Sequence, residues 1–271
     1  MILKNEERNL ARCLDSVQGL VDETIVIDTG STDATVEIAM RHGARVAHFD
    51  FKRVDFAAAR NYGLEQATGR WILVLDADEL LDRACAPLLK SLIEQDVNAG
   101  YFLERHNFSA DCAVPKRDYV VRLFPNRKEY RFRGRVHETI DDAILAGCGR
   151  LIQTGIRIEH GFAMDTEARR SKNVRYIEIL EEEIAADPND STRFDFLAAE
   201  YHQLGMFDEA TAVARRIVEM RPHDARAHLF LGVYQLLYQR NDAVARVEFR
   251  RALELRPGYP EAVAFLQQAE G

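Results

Sequence analysis

The chain has 271 residues, 47% of them hydrophobic and 30% charged, which is ample material for one large folded domain or two smaller ones. A net charge of −8 and a sequence pI of about 5.6 argue against a nucleic-acid partner, whose phosphates favour a basic surface. No apolar run approaches the roughly 20 residues needed to span a bilayer, and the opening MILKNEERNL lacks the long apolar stretch of a leader. Cys13, Cys85, Cys112 and Cys148 are scattered without Cys-x-x-Cys spacing and read as reduced, mostly buried thiols. The expectation is a cytoplasmic protein with no integral membrane segment.

In chain order, an apolar stub, Met1 to Leu3, leads into Lys4, Asn5 and Glu6. Residues 6–18 place Leu10, Cys13, Leu14 and Val17 on one helical stripe, and 33–42 place Val36, Ile38, Ala39 and Met40 near another. TIVIDTG (24–30), ARVAHFD (44–50) and RWILVLDAD (70–78) read as strands, followed by GYFLERHNF, DYVVRLFPN and GIRIEHGF. Strand–helix–strand alternation predicts a mainly parallel sheet with helices on both faces, and the later, closely spaced strands suit a mixed edge. Basic residues cluster locally in FPNRKEYRFRGR (124–135), a phosphate-binding strip or a solvated hairpin.

From about residue 165 the pattern turns helical. Prolines at 188, 222 and 257 recur at intervals of 34 and 35 residues. Leu197, Ala198, Tyr201 and Ala210, then Leu231, Gly232 and Ala252, occupy the large, small and aromatic positions of tetratricopeptide repeats. The expected division is a first domain over 1–162 and a helical domain over 163–271, with repeats at about 191–224 and 225–259 and a closing helix at 260–269. A concave repeat face suits a protein or peptide contact, as acceptor or partner, or self-association into a homo-oligomer.

In open α/β sheets, ligands sit at the carboxyl ends of strands. Asp28 stands at such an end, before a turn in which Gly30 can supply a positive φ and Ser31, Thr32 and Asp33 are N-cap candidates. Asp28 can accept hydrogen bonds from a base or ribose there, although a plain strand–turn–helix connection explains the turn equally well. Alternation along 70–78 puts Asp76 with Ile72 and Val74, and Asp78 points the same way if the chain stays extended. Neighbouring carboxylates repel unless one is protonated or a cation lies between them. Oxygen ligands of this kind suit Mg²⁺ or Mn²⁺, which could neutralise a departing diphosphate.

MILKNEERNLARCLDSV, DETIVIDTGSTDATVEIA, DFAAARNYGLEQATGRWILVLDADE and RVHETI, in that order, resemble the family 2 glycosyltransferases of GT-A fold. The resemblance extends to the bacterial subgroup whose catalytic domain is followed by tetratricopeptide repeats. It implies an α/β fold, a Rossmann-like mixed sheet with helices on both faces, and then an all-α repeat region. It also implies a nucleotide-sugar co-substrate, a divalent cation (Mn²⁺ or Mg²⁺) and transfer to an unknown acceptor, by inversion. By this resemblance Asn5 and Asp28 face the nucleoside, Arg60 the base or diphosphate, Asp76 the ribose or metal, and Asp78 the metal. Glu138 is the favoured base, with His137 and His160 competing for the metal or diphosphate. Arg122, Arg133 and Arg135 could bind phosphates, although surface pairing is the plainer expectation for each. The family's first strand normally starts several residues earlier, so a late start and a tolerated stub both stay open, and the stub is expected to lose ladder hydrogen bonds and apolar cover. The alternative to the enzyme is an inactive, glycosyltransferase-like scaffold whose repeats bind a partner.

Overall fold

The structure, a computed structural model, describes residues 1–95, 97–109, 112–161 and 166–270, without the side chains of 109, 112–114, 166, 168 and 169. The chain divides into two compact units, Met1–Ala163 and Met164–Gly271. The expected boundary at 162/163 lies outside the described residues, as does the Cys112 side chain. Of the other cysteines, Cys13 and Cys85 are buried and Cys148 is exposed.

The first unit begins with three parallel strands, β1 (Ile2–Leu3), β2 (Ile25–Asp28) and β3 (Arg45–His48), in that spatial order. Helices α1 (Leu10–Val17) and α2 (Thr35–Arg41) connect them. All four expected residues of α1 are buried. In α2 the buried stripe is Thr35 and Ala39, one turn apart, and Met40 is exposed. Ala39 is buried and Ile38 packs against the same core as expected, and Thr35 joins them because its hydroxyl works inside the fold, accepting the Glu6 N–H at 2.7 Å and donating to Asp33.

Helix α3 (Phe56–Gln66), capped by Asp55, leads to a five-stranded mixed sheet of order β4-β7-β6-β8-β5. Its strands are β4 (Trp71–Leu73), β5 (Glu79–Leu81), β6 (Ala99–Ser109), β7 (Cys112–Pro125) and β8 (Arg150–His160), with α4 (Ala86–Glu94) and α5 (Asp141–Ala146) between them. Only β6 and β8 run parallel. Tyr101, Leu103, Leu123, Ile156 and Ile158 form the centre of its core. The stretch expected as one strand to residue 78 ends at Leu73. The chain then turns, with the Glu79 N–H donating to the Asp76 carbonyl at 3.0 Å, and re-enters the sheet as β5.

A cavity of about 320 Å³ is lined by residues including Met1, Ile2, Ile27, Trp71, Ile72 and Leu73. Beside it the Met1 nitrogen donates to the Ile25 carbonyl at 2.7 Å.

The second unit is helical throughout its described residues: α6 (Thr166–Ala186), α7 (Ser191–Gln203), α8 (Phe207–Met220), α9 (Ala225–Leu237), α10 (Asp242–Leu255) and α11 (Pro260–Glu270). Asp190, Asp224 and Asn241 accept backbone N–H groups at the starts of α7, α9 and α10. Small residues set the helix spacing. Ala210, Ala245 and Ala252 are fully buried, and a Cβ on Gly232 would meet the Phe249 ring at 2.5 Å. No described helix is long and apolar enough to cross a membrane.

Candidate active site

The loops after β1 and β2 are laced together. Asn5, at φ 57°, accepts the Thr32 N–H on its side-chain oxygen at 2.8 Å and donates its own N–H to Ser31 Oγ at 3.0 Å. Across the same seam the Glu7 N–H donates to Asp33 Oδ2 at 3.3 Å, and the Glu7 carboxylate accepts the Ala34 N–H at 3.2 Å. At the tip of β2, Asp28 accepts the N–H groups of Gly30 (φ 102°) and Ser31 at 3.2 and 3.0 Å. Burial works to raise its pKa, but the Ser31 and Gly30 bonds outweigh burial and hold it below the usual carboxylate range. Its register partner on β3, His48, lies 3.5 Å away. Asn5 and Asp28 therefore stand together, and Asn5 shapes the turn that Asp28 caps.

The centre of the site is a buried ion network. Arg60 on α3 donates through Nε to Glu138 at 2.5 Å and through Nη2 to Asp76 Oδ1 at 2.7 Å. Arg122 on β7 donates to Asp76 Oδ2 and to Glu79 Oε1, both at 2.6 Å. Both guanidiniums are almost fully covered, at 8% and 7% exposure. Glu79 is completely buried, and its other oxygen accepts the Asp76 N–H at 3.0 Å. Burial opposes ionisation of Asp76, yet Arg122 and Arg60 prevail and keep it far below the usual carboxylate range. The repulsion expected between Asp76 and Asp78 is thus relieved by two arginines, which also enforce the turn that ends the strand. Arg122 is a structural counter-ion of Asp76 rather than a surface phosphate ligand.

Asp78 takes a different environment. One of its oxygens lies 3.4 Å from His160 Nε2, with both side chains 33% exposed. The Asp78 contact outweighs burial and raises the His160 pKa. Glu6 is likewise raised, by burial and then by Asp78 and Asp33, so the mouth of the site carries a negative field. No group of three His, Cys, Asp or Glu residues in metal-binding geometry occurs among the described residues. Asp78 and His160 nonetheless form an oxygen and nitrogen donor pair, which suits Mn²⁺ better than the strictly oxygen-preferring Mg²⁺.

The candidate base sits on a short hairpin closed by reciprocal hydrogen bonds between Arg133 and Thr139. His137 holds φ at 49°, a conformation non-glycine residues seldom adopt. Among the described residues, Glu138 Oε1 meets Arg60 and Oε2 accepts no hydrogen bond. The hairpin is anchored by Asn61, whose amide both donates to the Phe132 carbonyl and accepts the Phe132 N–H. Asn61 and Glu79 were not legible as site residues. Their only signal is adjacency to Arg60 and Asp78.

Arg60, Asp76 and Glu138 thus form one cluster, Asp78 and His160 a second, and Asn5 and Asp28 a third. The profile described as "Glycosyl transferase family 2" matches residues 1–161. A TPR repeat-containing protein of Synechococcus elongatus is 44% identical over 146 residues, covering 54% of this chain and 36% of that protein. The SPbeta prophage-derived glycosyltransferase SunS of Bacillus subtilis is 27% identical over 278 residues, covering 97% of this chain and 63% of that one. Among solved structures, the second TPR domain of human RPAP3 gives a TM-score of 0.35 at 22% identity, covering 38% of this chain and 85% of that domain. The chain spans between about a third and two thirds of the length of these two curated relatives. With its first unit matched end to end and carrying these clusters, the chain belongs to glycosyl transferase family 2.

Proposed function

We propose that this chain is a metal-dependent, inverting glycosyltransferase that moves a sugar from a nucleoside-diphosphate donor to an acceptor nucleophile. The observation that carries this reading is the unequal treatment of two neighbouring aspartates. Asp76 is neutralised by Arg60 and Arg122, whereas Asp78, equally a third exposed, is paired among the described residues with His160 alone.

Asp28 and the turn shaped by Asn5 receive the nucleoside, and Asp76, whose oxygens each keep a lone pair, receives the ribose. Asp78 and His160 would hold a divalent cation, which when bound supplies positive charge to the diphosphate leaving group. The acceptor attacks the anomeric carbon from the face opposite the diphosphate. A new carbon–acceptor bond forms as the bond to the diphosphate oxygen breaks with its electron pair, and the configuration inverts. Glu138 Oε2 takes the acceptor's proton. His137, held in its strained conformation next to the base, borders the diphosphate. The second unit presents its helix pairs to a protein or peptide, and the protein works in the cytoplasm.

Mass-spectrometric screening of nucleotide sugars, with and without Mn²⁺, tests the reading. Metal-dependent hydrolysis or transfer of one donor, lost in Asp78→Ala, is expected. A chain that neither hydrolyses nor binds any nucleotide sugar would instead be the inactive scaffold.

A further inference from the structure

The Asp78–His160 pair is useful to a cation only if His160 Nε2 carries a lone pair. An imidazole with its proton on Nε2 would point a hydrogen at the shared space. Three strands converge on this choice: Asn107 of β6 is in register with His160 of β8 and with Lys116 of β7. Asn107 Nδ2 donates to the Lys116 main-chain carbonyl at 3.2 Å. That bond fixes the orientation of the amide and turns its oxygen the other way, to His160 Nδ1 at 2.7 Å. An amide oxygen can only accept, so Nδ1 is the donor and the neutral ring leaves Nε2 as acceptor.

We propose that Asn107 is the positioning residue of the cation site: through the Lys116 carbonyl it locks His160 in the Nδ1–H tautomer and presents Nε2, beside Asp78, to a divalent cation. The proposal rests on the reading of Asp78 and His160 as that site. Asn107 acts through the histidine and touches neither cation nor substrate. Two residues along the same β6–β7 ladder, Arg105 donates two hydrogen bonds to Asp118, at 2.9 and 2.8 Å. Orienting partners of metal-bound histidines typically change metal affinity by about 10- to 100-fold when removed.

The test uses the full chain and two readouts besides turnover. Ring ¹⁵N shifts of His160, recorded at alkaline pH where the ring is neutral, report the tautomer. Electron paramagnetic resonance of added Mn²⁺, with and without UDP or GDP, reports affinity. Asn107→Ala and Asn107→Leu should shift the ring toward Nε2–H and weaken Mn²⁺ binding by about 10-fold or more. Asn107→Asp, which restores an acceptor to Nδ1, should retain both the tautomer and the affinity. Unchanged tautomer and affinity in the alanine and leucine variants would overturn the positioning role while leaving the cation site standing. Absence of Mn²⁺ binding by the unaltered chain would overturn the cation site, and the proposal with it.

Discussion

Arg122 predicts where the first unit is most sensitive. Its guanidinium donates to Asp76 Oδ2 and to Glu79 Oε1, both at 2.6 Å, and the side chain is only 8% exposed. In Arg122→Met the apolar stem keeps its packing, but two carboxylates lose their shared cation. Asp76 retains Arg60 at 2.7 Å and is itself 31% exposed, so that arginine and water hold its charge. Glu79 has neither relief. It is completely buried, and the next guanidinium, that of Arg105, stands 3.6 Å away. Removing one partner of a buried ion pair costs about 3–5 kcal/mol, and the complete burial of Glu79 places this variant at about 4 kcal/mol. Trp71, the sole tryptophan, lies on β4, which pairs with the Arg122-bearing β7, so urea unfolding followed by its fluorescence reads the first unit directly. The midpoint should fall with the slope unchanged. A loss below about 0.5 kcal/mol, the size expected for a surface guanidinium, refutes the reasoning.

The two aspartates should part company under substitution. Asp76→Asn leaves two covered guanidiniums short of a partner and should destabilise the first unit by about 3 kcal/mol, the lower end for a broken buried pair because Asp76 itself is 31% exposed. Asp78→Asn should change the same fluorescence-detected stability by less than about 0.5 kcal/mol while abolishing metal-dependent donor hydrolysis. In the second unit, Gly232→Ala gains about 1 kcal/mol in helix propensity but drives a methyl into the fully buried Phe249 ring. The clash should win by about 1–2 kcal/mol, seen as a lower melting temperature of the helical signal in circular dichroism.

The elements that local periodicity controls were legible. Leu10, Cys13, Leu14 and Val17 share one face of α1, and the spaced prolines and small residues mark the paired helices, because each signal lies within a turn or a repeat. What escaped were features set by partners far away in sequence. RWILVLDAD reads as one strand until Arg60 and Arg122, 16 and 46 residues from Asp76, pull its carboxylate into the interior and turn the chain. Arg122 sits in VVRLF, where alternation alone cannot tell a solvated guanidinium from one buried against Asp76 and Glu79. Thr35 carries no apolar signal, and the partner that buries it, the Glu6 backbone, belongs to another loop.

The same long-range pairing explains why an Asp-x-Asp spacing is useful here. In the proposed function, Asp76 is already balanced by two arginines before any ligand arrives, and Asp78 is the carboxylate left for the cation. Arg60 extends that fixed frame to the hairpin, since one guanidinium spans Asp76 and Glu138. In the proposed reaction, the group that takes the acceptor's proton is therefore placed relative to the donor-binding aspartate by a single side chain. Arg60→Lys keeps the positive charge but not the planar fork that reaches both carboxylates. The charge network alone would tolerate that change. The alignment of base and donor would not.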